Sequence, residues 1–250
     1  QGPDFHHDGQ NFAKAYNIVF LDESEKKQYA YQNTFAITTR MLGVMFAIHS
    51  DKKGLILPPK IAPNQIVIIP IFNEDNKNKI LDETKKIEES LKQFDPLIDE
   101  SDKRPGFKFN YYEIKGIPIR IEIGPKDLEK KQVVVVRRDN GLKKEIKIKD
   151  LTKEVKFILE DIQNNLLKKA EKLLNENIIE VNSLKDLQEA VKNKKIGLTS
   201  LCKSVECEET IKYKTKGAKV LNIDENKKAN GNCIICNKKA EYVGRVGKSY

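Results

Sequence analysis

QIVIIPIF, at residues 65–72, and NKILDETKKIEESLKQF, at residues 78–94, predict an apolar strand followed by an amphipathic helix. The first segment is apolar almost throughout and has the length of a strand. The second places Ile80, Thr84, Ile87 and Leu91 on one stripe, at the spacing of a helix face. Together the two segments begin an α/β domain.

Three further runs continue this domain. FKFNYYEIK (107–115), IPIRIEI (117–123) and QVVVVRR (132–138) are rich in β-branched and aromatic residues and predict strands. Between the last two runs, GPKDLEK (124–130) puts Pro125 at the first position of a short predicted helix. The order strand, helix, strand, strand, helix, strand predicts a small α/β domain with a mixed sheet.

The segments on the N-terminal side are shorter. AYNIVFLD (15–22) predicts a strand, and the apolar spacing from Thr38 to His49 predicts a helix. LILPPKIAP (55–63) predicts a stiff linker, because each proline fixes its own φ and restrains the residue before it. We therefore expect a domain boundary at this linker.

The C-terminal side begins with the clearest helix of the chain, at residues 150–175. Its apolar positions recur every three to four residues, at Leu151, Val155, Ile158, Leu159, Ile162, Leu166, Ala170, Leu173 and Leu174. A second helix is expected from Ser183, a natural N-cap with Asp186 three positions later. A cysteine-bearing segment and a short β-rich tail follow, and no internal repeat is visible.

All four cysteines lie in this last part, as CKSVEC (202–207) and CIIC (233–236). Two short cysteine pairs from distant turns supply the four ligands of a tetrahedral zinc site. Two disulfides and four reduced core thiols are the alternatives, and a redox role of CIIC lacks the surrounding βαβ pattern. The prediction is a structural zinc site at Cys202, Cys207, Cys233 and Cys236, with no open position for catalysis.

Charge and length limit the class of protein. The 250 residues carry a formal net charge of +9, which favours a polyanionic partner such as nucleic acid, although a solvated lysine-rich surface is the simpler reading. No apolar run reaches the roughly 18 residues of a membrane span. The opening QGPDFHHDGQ has no signal pattern and resembles the middle of a domain, so we expect a fragment of a longer protein.

Four segments, in order, carry a resemblance to a known family: HHDGQNFAKAY (6–16), YQNTFAITTRMLGV (31–44), HSDKKGLILPPKIAP (49–63) and GIPIRIEIGPKDLE (116–129). Together with the cysteine spacing and the final Lys-Ser-Tyr, they resemble the C-terminal half of a prolyl-tRNA synthetase of the archaeal/eukaryotic type. The resemblance implies a multidomain α/β and α+β fold. Residues 1–57 would be the tail of the class II antiparallel catalytic sheet with motif 3, residues 64–165 an anticodon-binding domain, and residues 166–250 a small zinc-binding domain.

The resemblance also implies an activity and its partners. Proline–tRNA ligases join L-proline to tRNA(Pro) through prolyl-adenylate, use ATP and Mg²⁺, and usually work as cytoplasmic homodimers. Motifs 1 and 2 are missing from this sequence, so the chain alone should not activate proline. The alternatives are a free-standing tRNA-binding module without catalysis and an unrelated zinc-ribbon DNA-binding protein.

Each candidate site residue follows from the same resemblance. Arg40 would be the motif 3 arginine that contacts ATP, where a guanidinium stabilises phosphate charge. The other assignments are Gln1, Asp4 and Thr38 for ATP; His6, Phe35 and Ala36 for proline; Glu113, Arg120, Lys126 and Lys143 for the anticodon; and Tyr250 for a terminal carboxylate near the active site. Pro3-Asp4-Phe5 and Thr34-Phe35-Ala36 depart from the family's usual Gly-Thr-Ser and Ser-Trp-Gly, which implies an altered pocket with proline still preferred.

Overall fold

The computed structural model describes residues 3–248, which form two compact units that divide between Leu166 and Leu167. Gln1 and Tyr250, both predicted site residues, lie outside the described residues. Within the described part of the chain, no helix is both long and apolar enough to cross a membrane. The two units are described separately.

The first unit begins with short elements, and three antiparallel pairs of strands hold them: β1 with β4, β2 with β3, and β5 with β6. The elements are β1 (Asp4–Gly9), α1 (Asn11–Ala15), β2 (Val19–Leu21), β3 (Lys27–Tyr29), β4 (Gln32–Ala36), α2 (Arg40–Ile48), β5 (Ser50–Asp51) and β6 (Gly54–Leu55). The predicted helix at 38–49 is α2. The predicted strand at 15–22 is shortened to β2, because Asn17 adopts a positive φ of 54° and breaks the extended run.

A five-stranded mixed sheet forms the rest of this unit, in the order β11-β10-β9-β7-β8. Its elements are β7 (Ile66–Pro70), α3 (Lys77–Ser90), β8 (Pro96–Ile98), α4 (Pro105–Lys115), β9 (Ile119–Ile123), α5 (Pro125–Glu129), β10 (Gln132–Arg137) and β11 (Lys143–Lys147). Strand β7 runs parallel to β8 and β9, whereas β9, β10 and β11 pair antiparallel. The predicted mixed sheet is therefore correct.

The prediction of a strand at residues 107–115 is wrong, because this segment is helix α4. Pro105 occupies the first helical turn, and Gly116 ends the helix with a left-handed φ of 78°. Phe109 and Tyr112, three residues apart, lie on one helix face and pack against Val67 and Ile69 of the sheet. Packing of that face outweighs the β preference of the aromatic residues.

Long helix α6 (Leu151–Asn175) covers the other face of the sheet, together with α3. The predicted stripe of Ile80, Thr84, Ile87 and Leu91 is buried along α3 and the residue that ends it, and the α6 stripe is buried from Leu151 to Leu166. Its last two members, Leu173 and Leu174, are about half exposed. The helical periodicity thus predicted the helix correctly but overestimated the length of its buried face.

The second unit has a four-stranded sheet in the order β12-β13-β15-β14, with two helices. Its elements are β12 (Ile178–Glu180), α7 (Leu184–Lys192), β13 (Ile196–Leu201), α8 (Val205–Lys214), β14 (Ala218–Ile223) and β15 (Tyr242–Lys248). Ser183 caps α7 as predicted, since its Oγ accepts a hydrogen bond from the Asp186 N–H at 3.1 Å. Leu187 and Ile211 of the two helices share a core with Leu201 and Tyr242 of the sheet.

Candidate nucleic-acid interface and metal centre

A network of charged side chains lies where the end of α4 meets strand β9. Arg120 of β9 is only 8% exposed, and its Nε and Nη2 lie 2.9 and 2.8 Å from Oε1 of Glu122. Its Nη1 lies 3.6 Å from Oε1 of Glu113, in the last turn of α4. The guanidinium also lies over the Phe109 ring, 4.3 Å from the ring centre. Arg120 is therefore fixed between two carboxylates and an aromatic face.

Two lysines complete this network at its surface. Lys143 of β11 places its Nζ 3.8 Å from Glu122, and Lys53 places its Nζ 3.4 Å from Glu113. The Glu113 side chain keeps about a quarter of its surface exposed, so its carboxylate can accept hydrogen bonds from a ligand outside the protein. We call Glu113, Arg120, Glu122 and Lys143 the β9 network.

The β9 network contains three of the four predicted anticodon residues. Lys126 is exposed in the first turn of α5 and makes no contact with the other three among the described residues. Glu122 was missed by the sequence reasoning, although it lies two positions after Arg120 and so shares its face of the strand. The sequence did not indicate that Lys53 belongs near this site, because Lys53 is 60 positions away from Glu113 along the chain.

Arg138 links the β5–β6 hairpin to the end of α4, next to the β9 network. Arg138 donates two hydrogen bonds to the Asp51 carboxylate, at 2.7 and 2.8 Å, and a third from its Nε to the Glu113 carbonyl oxygen. The paired guanidinium lowers the pKa of Asp51 well below its usual range. Backbones approach closely here: a Cβ on Gly54 would lie 2.6 Å from the Ile114 backbone.

The residues assigned to ATP and proline lie largely on the β1–β4 ribbon. Asp4 is opposite Ala36, Phe5 opposite Phe35, and His6 opposite Thr34. Nε2 of His6 lies 3.4 Å from Oδ2 of Asp4, and the Phe5 and Phe35 ring centres are 4.9 Å apart. Pairing thus brings Asp4, His6, Phe35 and Ala36 together on one exposed ribbon.

Thr38 and Arg40 follow this ribbon directly along the chain. Strand β4 ends at Ala36, and Arg40 is the first residue of α2. The Thr38 carbonyl oxygen accepts a hydrogen bond from the Met41 N–H at 3.0 Å in the first turn. Both residues therefore lie within four positions of the end of the ribbon.

The four cysteines converge in the second unit. Their sulfur atoms all lie within 4.8 Å of one another, and Sγ of Cys202 is 3.5 Å from that of Cys207 and 3.6 Å from that of Cys236. A zinc ion bound tetrahedrally at about 2.3 Å requires sulfurs roughly 3.8 Å apart, which this cluster matches with small adjustments. The donor set therefore fits one zinc ion.

Local backbone geometry holds the second cysteine pair in a tight turn. Gly231 adopts a φ of 72°, and the Cys233 N–H donates to the Lys238 carbonyl oxygen at 2.8 Å. Burial raises the pKa of Cys207 to about 12. Burial acts in the same direction on Cys233, but hydrogen bonds from the N–H groups of Cys236 and Ile235 outweigh it and lower its pKa to about 7.

Comparison with known proteins gives two matches to family models. Residues 65–158 match an anticodon binding domain, and residues 184–250 match the C-terminal domain of prolyl-tRNA synthetase. The chain is also similar to proteins named proline–tRNA ligase. It is 39% identical over 234 residues to one from Natranaerobius thermophilus, and 37% identical over 246 residues to one from Oceanobacillus iheyensis.

These alignments cover 92% and 98% of this chain but 48% and 51% of the relatives. The chain therefore spans about half the length of the curated relatives it matches. The two domain models occur in order, and the alignments include nearly all of the residues described here. The chain belongs to the prolyl-tRNA synthetase family, whose anticodon-binding and C-terminal domains it carries.

Proposed function

We propose that this chain is the anticodon-reading part of a proline–tRNA ligase, which attaches L-proline to tRNA(Pro). The observation that carries the proposal is the β9 network, which lies within the residues that match an anticodon binding domain. The partly exposed Glu113 carboxylate and the exposed Lys143 lie on either side of the fixed Arg120 guanidinium and its partner Glu122. This combination suits the recognition of guanine edges in an unpaired RNA loop.

Three members of the β9 network, Glu113, Arg120 and Lys143, have distinct roles in this proposal. Glu113 accepts hydrogen bonds from the N1–H and N2–H groups of a guanine, and Lys143 donates to an acceptor on the base or to a phosphate. Arg120 keeps the Glu113 carboxylate oriented, and it can donate to a base that displaces part of its contact with Glu113. Lys126 acts separately, because it lies on α5 outside the network.

The ATP and proline sites belong to the proposed whole enzyme. Arg40, with Gln1, Asp4 and Thr38, would bind ATP and its Mg²⁺, while His6, Phe35 and Ala36 would border the proline pocket. Adenylation is an in-line attack by the proline carboxylate on ATP, so these residues act by positioning and by charge stabilisation. The closeness of Asp4, His6 and Phe35 on the β1–β4 ribbon supports this grouping.

We divide the chain into residues 1–57 as part of the catalytic domain, 64–165 as the anticodon-binding domain and 166–250 as the zinc-binding domain. Fourteen large apolar side chains between Phe5 and Phe46 are exposed in the described structure. So many exposed apolar side chains suit burial against further parts of a class II catalytic domain. As in the family, we expect a cytoplasmic homodimer.

The cysteine cluster is proposed to hold a structural zinc ion. Four thiolates fill a tetrahedral coordination sphere and leave no position for a substrate. The ion would stabilise the sheet and helices of the second unit, whose core includes three of the four cysteines. Tyr250 would lie near the active site of the whole enzyme.

The test is binding of this chain to tRNA(Pro) transcripts with the anticodon UGG and with either guanine changed. The unchanged chain should lose about 2 kcal/mol or more for each guanine, the scale of good base readout. The E113Q variant should lose most of this discrimination. The matched control is E88Q, which changes a partly exposed α3 carboxylate without an ion pair among the described residues, and it should discriminate as the unchanged chain does.

If all transcripts bind equally and the affinity falls steeply as the salt concentration rises, the chain recognises only the charge of the RNA. That result would contradict the proposal. A chain that discriminates anticodons, but whose parent protein does not aminoacylate tRNA(Pro), would instead be the free-standing tRNA-binding module considered above.

A further inference from the structure

A second basic surface lies in the first unit and shares no residue with the β9 network. It is a groove of about 900 Å³ between the start of α3, the end of α5 and the segment after β11. Five lysines line it, with Leu128 and Ile148 as its apolar part and two carboxylates; the lysines are Lys79, Lys130, Lys131, Lys147 and Lys149. We call it the α5 groove.

The lysines of the α5 groove differ from many others in the chain because their charge is not neutralised locally. Among residues 3–248, none of the five lies within 4 Å of a carboxylate oxygen, although lysines elsewhere form ten such pairs with aspartate or glutamate. One groove carboxylate, Glu83, is already paired with Lys86 at 3.1 Å. The groove therefore keeps a net positive charge that suits anionic oxygens.

Strand β11 connects the α5 groove to the β9 network. Lys143 and Lys147 lie at the two ends of β11, on the same face because residues alternate along a strand. Four residues of strand span about 13 Å. Lys147 is held in place, since its Nζ donates to the Lys130 carbonyl oxygen at 3.0 Å.

Lys126 fits this groove better than it fits the β9 network. It lies in the first turn of α5, four positions before Lys130, which ends the helix; this spacing is about one helical turn and puts both on the same side. The Lys130 N–H donates to the Lys126 carbonyl oxygen, so the turn between them is formed. A basic face thus runs from Lys126 to the groove lysines.

We propose that the α5 groove binds the sugar–phosphate backbone of the same RNA loop whose bases reach the β9 network. This inference rests on the proposed function and adds a second, sequence-independent contact to it. A charged groove that tracks the backbone beside a base-reading site is a common arrangement for single-stranded RNA. Phosphate contacts fix the position of the strand, while base contacts specify it.

The test compares two double variants that each remove two positive charges. K130Q/K149Q removes exposed groove lysines that make no side-chain hydrogen bond among the described residues, so folding should be unaffected. K85Q/K153Q is the matched control, with exposed lysines on α3 and α6. Each variant is titrated with tRNA(Pro) carrying UGG and with the guanine-changed transcripts, over a series of salt concentrations.

The groove variant should bind all transcripts about 10-fold more weakly at 0.1 M salt, with unchanged anticodon discrimination. Its log–log salt slope should fall by about 1.4, because each lost phosphate contact in a single strand contributes about 0.7. The control should show less than half of that change in slope.

Each other outcome has a definite meaning. If the groove variant matches the control while the unchanged chain discriminates anticodons, the groove proposal is overturned and the proposed function stands. If the variant loses discrimination between transcripts, the groove reads bases and the backbone assignment is wrong. If no protein discriminates anticodons but the groove variant still loses more affinity than the control, the anticodon proposal fails, and the groove binds RNA backbone without the loop assignment.

Discussion

Arg120 shows how burial changes the meaning of a charged residue. An exposed arginine can be replaced at little cost, but Arg120 neutralises Glu122, which is itself only 9% exposed. Removing the guanidinium would leave this buried carboxylate without its nearest counterion and with only the exposed Lys143 at 3.8 Å, which is more costly than losing one surface ion pair. Loss of RNA binding in an Arg120 variant would therefore report structural damage as well as lost contacts.

Two buried threonines of the second unit allow a matched test of hydrogen bonding. Thr215 is 7% exposed, and its hydroxyl donates to the Ile211 carbonyl oxygen and accepts from the Ala218 N–H. Thr199 is 4% exposed, and its hydroxyl has no partner among the described residues. An unpaired buried hydroxyl costs free energy, whereas a paired one stabilises the fold.

We expect T215V to lower the free energy of unfolding by about 1–3 kcal/mol, because it removes both hydrogen bonds of the buried Thr215 hydroxyl. T199V should be neutral or stabilising. Denaturant unfolding of the two variants beside the unchanged chain measures both effects. Equal destabilisation by the two substitutions would show that the Thr199 hydroxyl does have a partner in solution.

The elements show what the sequence could and could not predict. Periodicity was sufficient for α3 and α6, because their apolar stripes are long and regular. It failed at α4, where Phe107, Phe109, Tyr111 and Tyr112 favour a strand locally and only packing against Val67 and Ile69 selects a helix. The short strand β8 was missed, since three residues carry no periodic signal. The β9 network needed Glu122 and Lys53, whose roles depend on contacts between distant parts of the chain.

The hairpin of β5 and β6 gives a pH-dependent prediction at the scale of elements. Arg138 lowers the pKa of Asp51 in the folded state, so the pair stabilises the fold above the ordinary aspartate pKa near 4. This stabilisation is lost as the pH falls below about 4. Because the Asp51 side chain is 40% exposed, we expect a contribution of only about 1–2 kcal/mol.

D51N should therefore lower the free energy of unfolding by about 1–2 kcal/mol at neutral pH and flatten its decline between pH 4 and pH 2. The control D82N changes an exposed α3 carboxylate that pairs with no basic side chain among the described residues. Chemical unfolding at a series of pH values gives both curves. If the free energy of unfolding falls between pH 4 and pH 2 with the same slope in D51N and the unchanged chain, Asp51 and Arg138 make no stabilising contact.

At the scale of the whole molecule, the cysteine cluster should make the two units respond differently to metal. The sulfur atoms come from segments 25 residues apart, so a zinc ion would cross-link α8 and its flanking turn to the loop before β15. Binding to the folded state alone converts metal affinity into folding free energy. The first unit contains no cysteine.

We expect one zinc ion per chain by elemental analysis. Chelation should then increase amide hydrogen exchange in β12–β15, α7 and α8, while β7–β11 stay protected. All four thiols should become reactive at the same time, and added zinc should reverse both changes. A chain without zinc whose second unit remains protected would show that the cysteines are ordinary core residues.

The order of strands in the second sheet has a consequence for synthesis on the ribosome. Strand β15 lies between β13 and β14 and pairs with both, although it is the last of the four to be made. Until residues 242–248 emerge, β14 has no neighbour in this sheet, and Leu201 and Val220 lack the strand they face. Nascent chains should therefore complete the first unit early and hold the second as an open, chaperone-accessible intermediate until its central strand arrives.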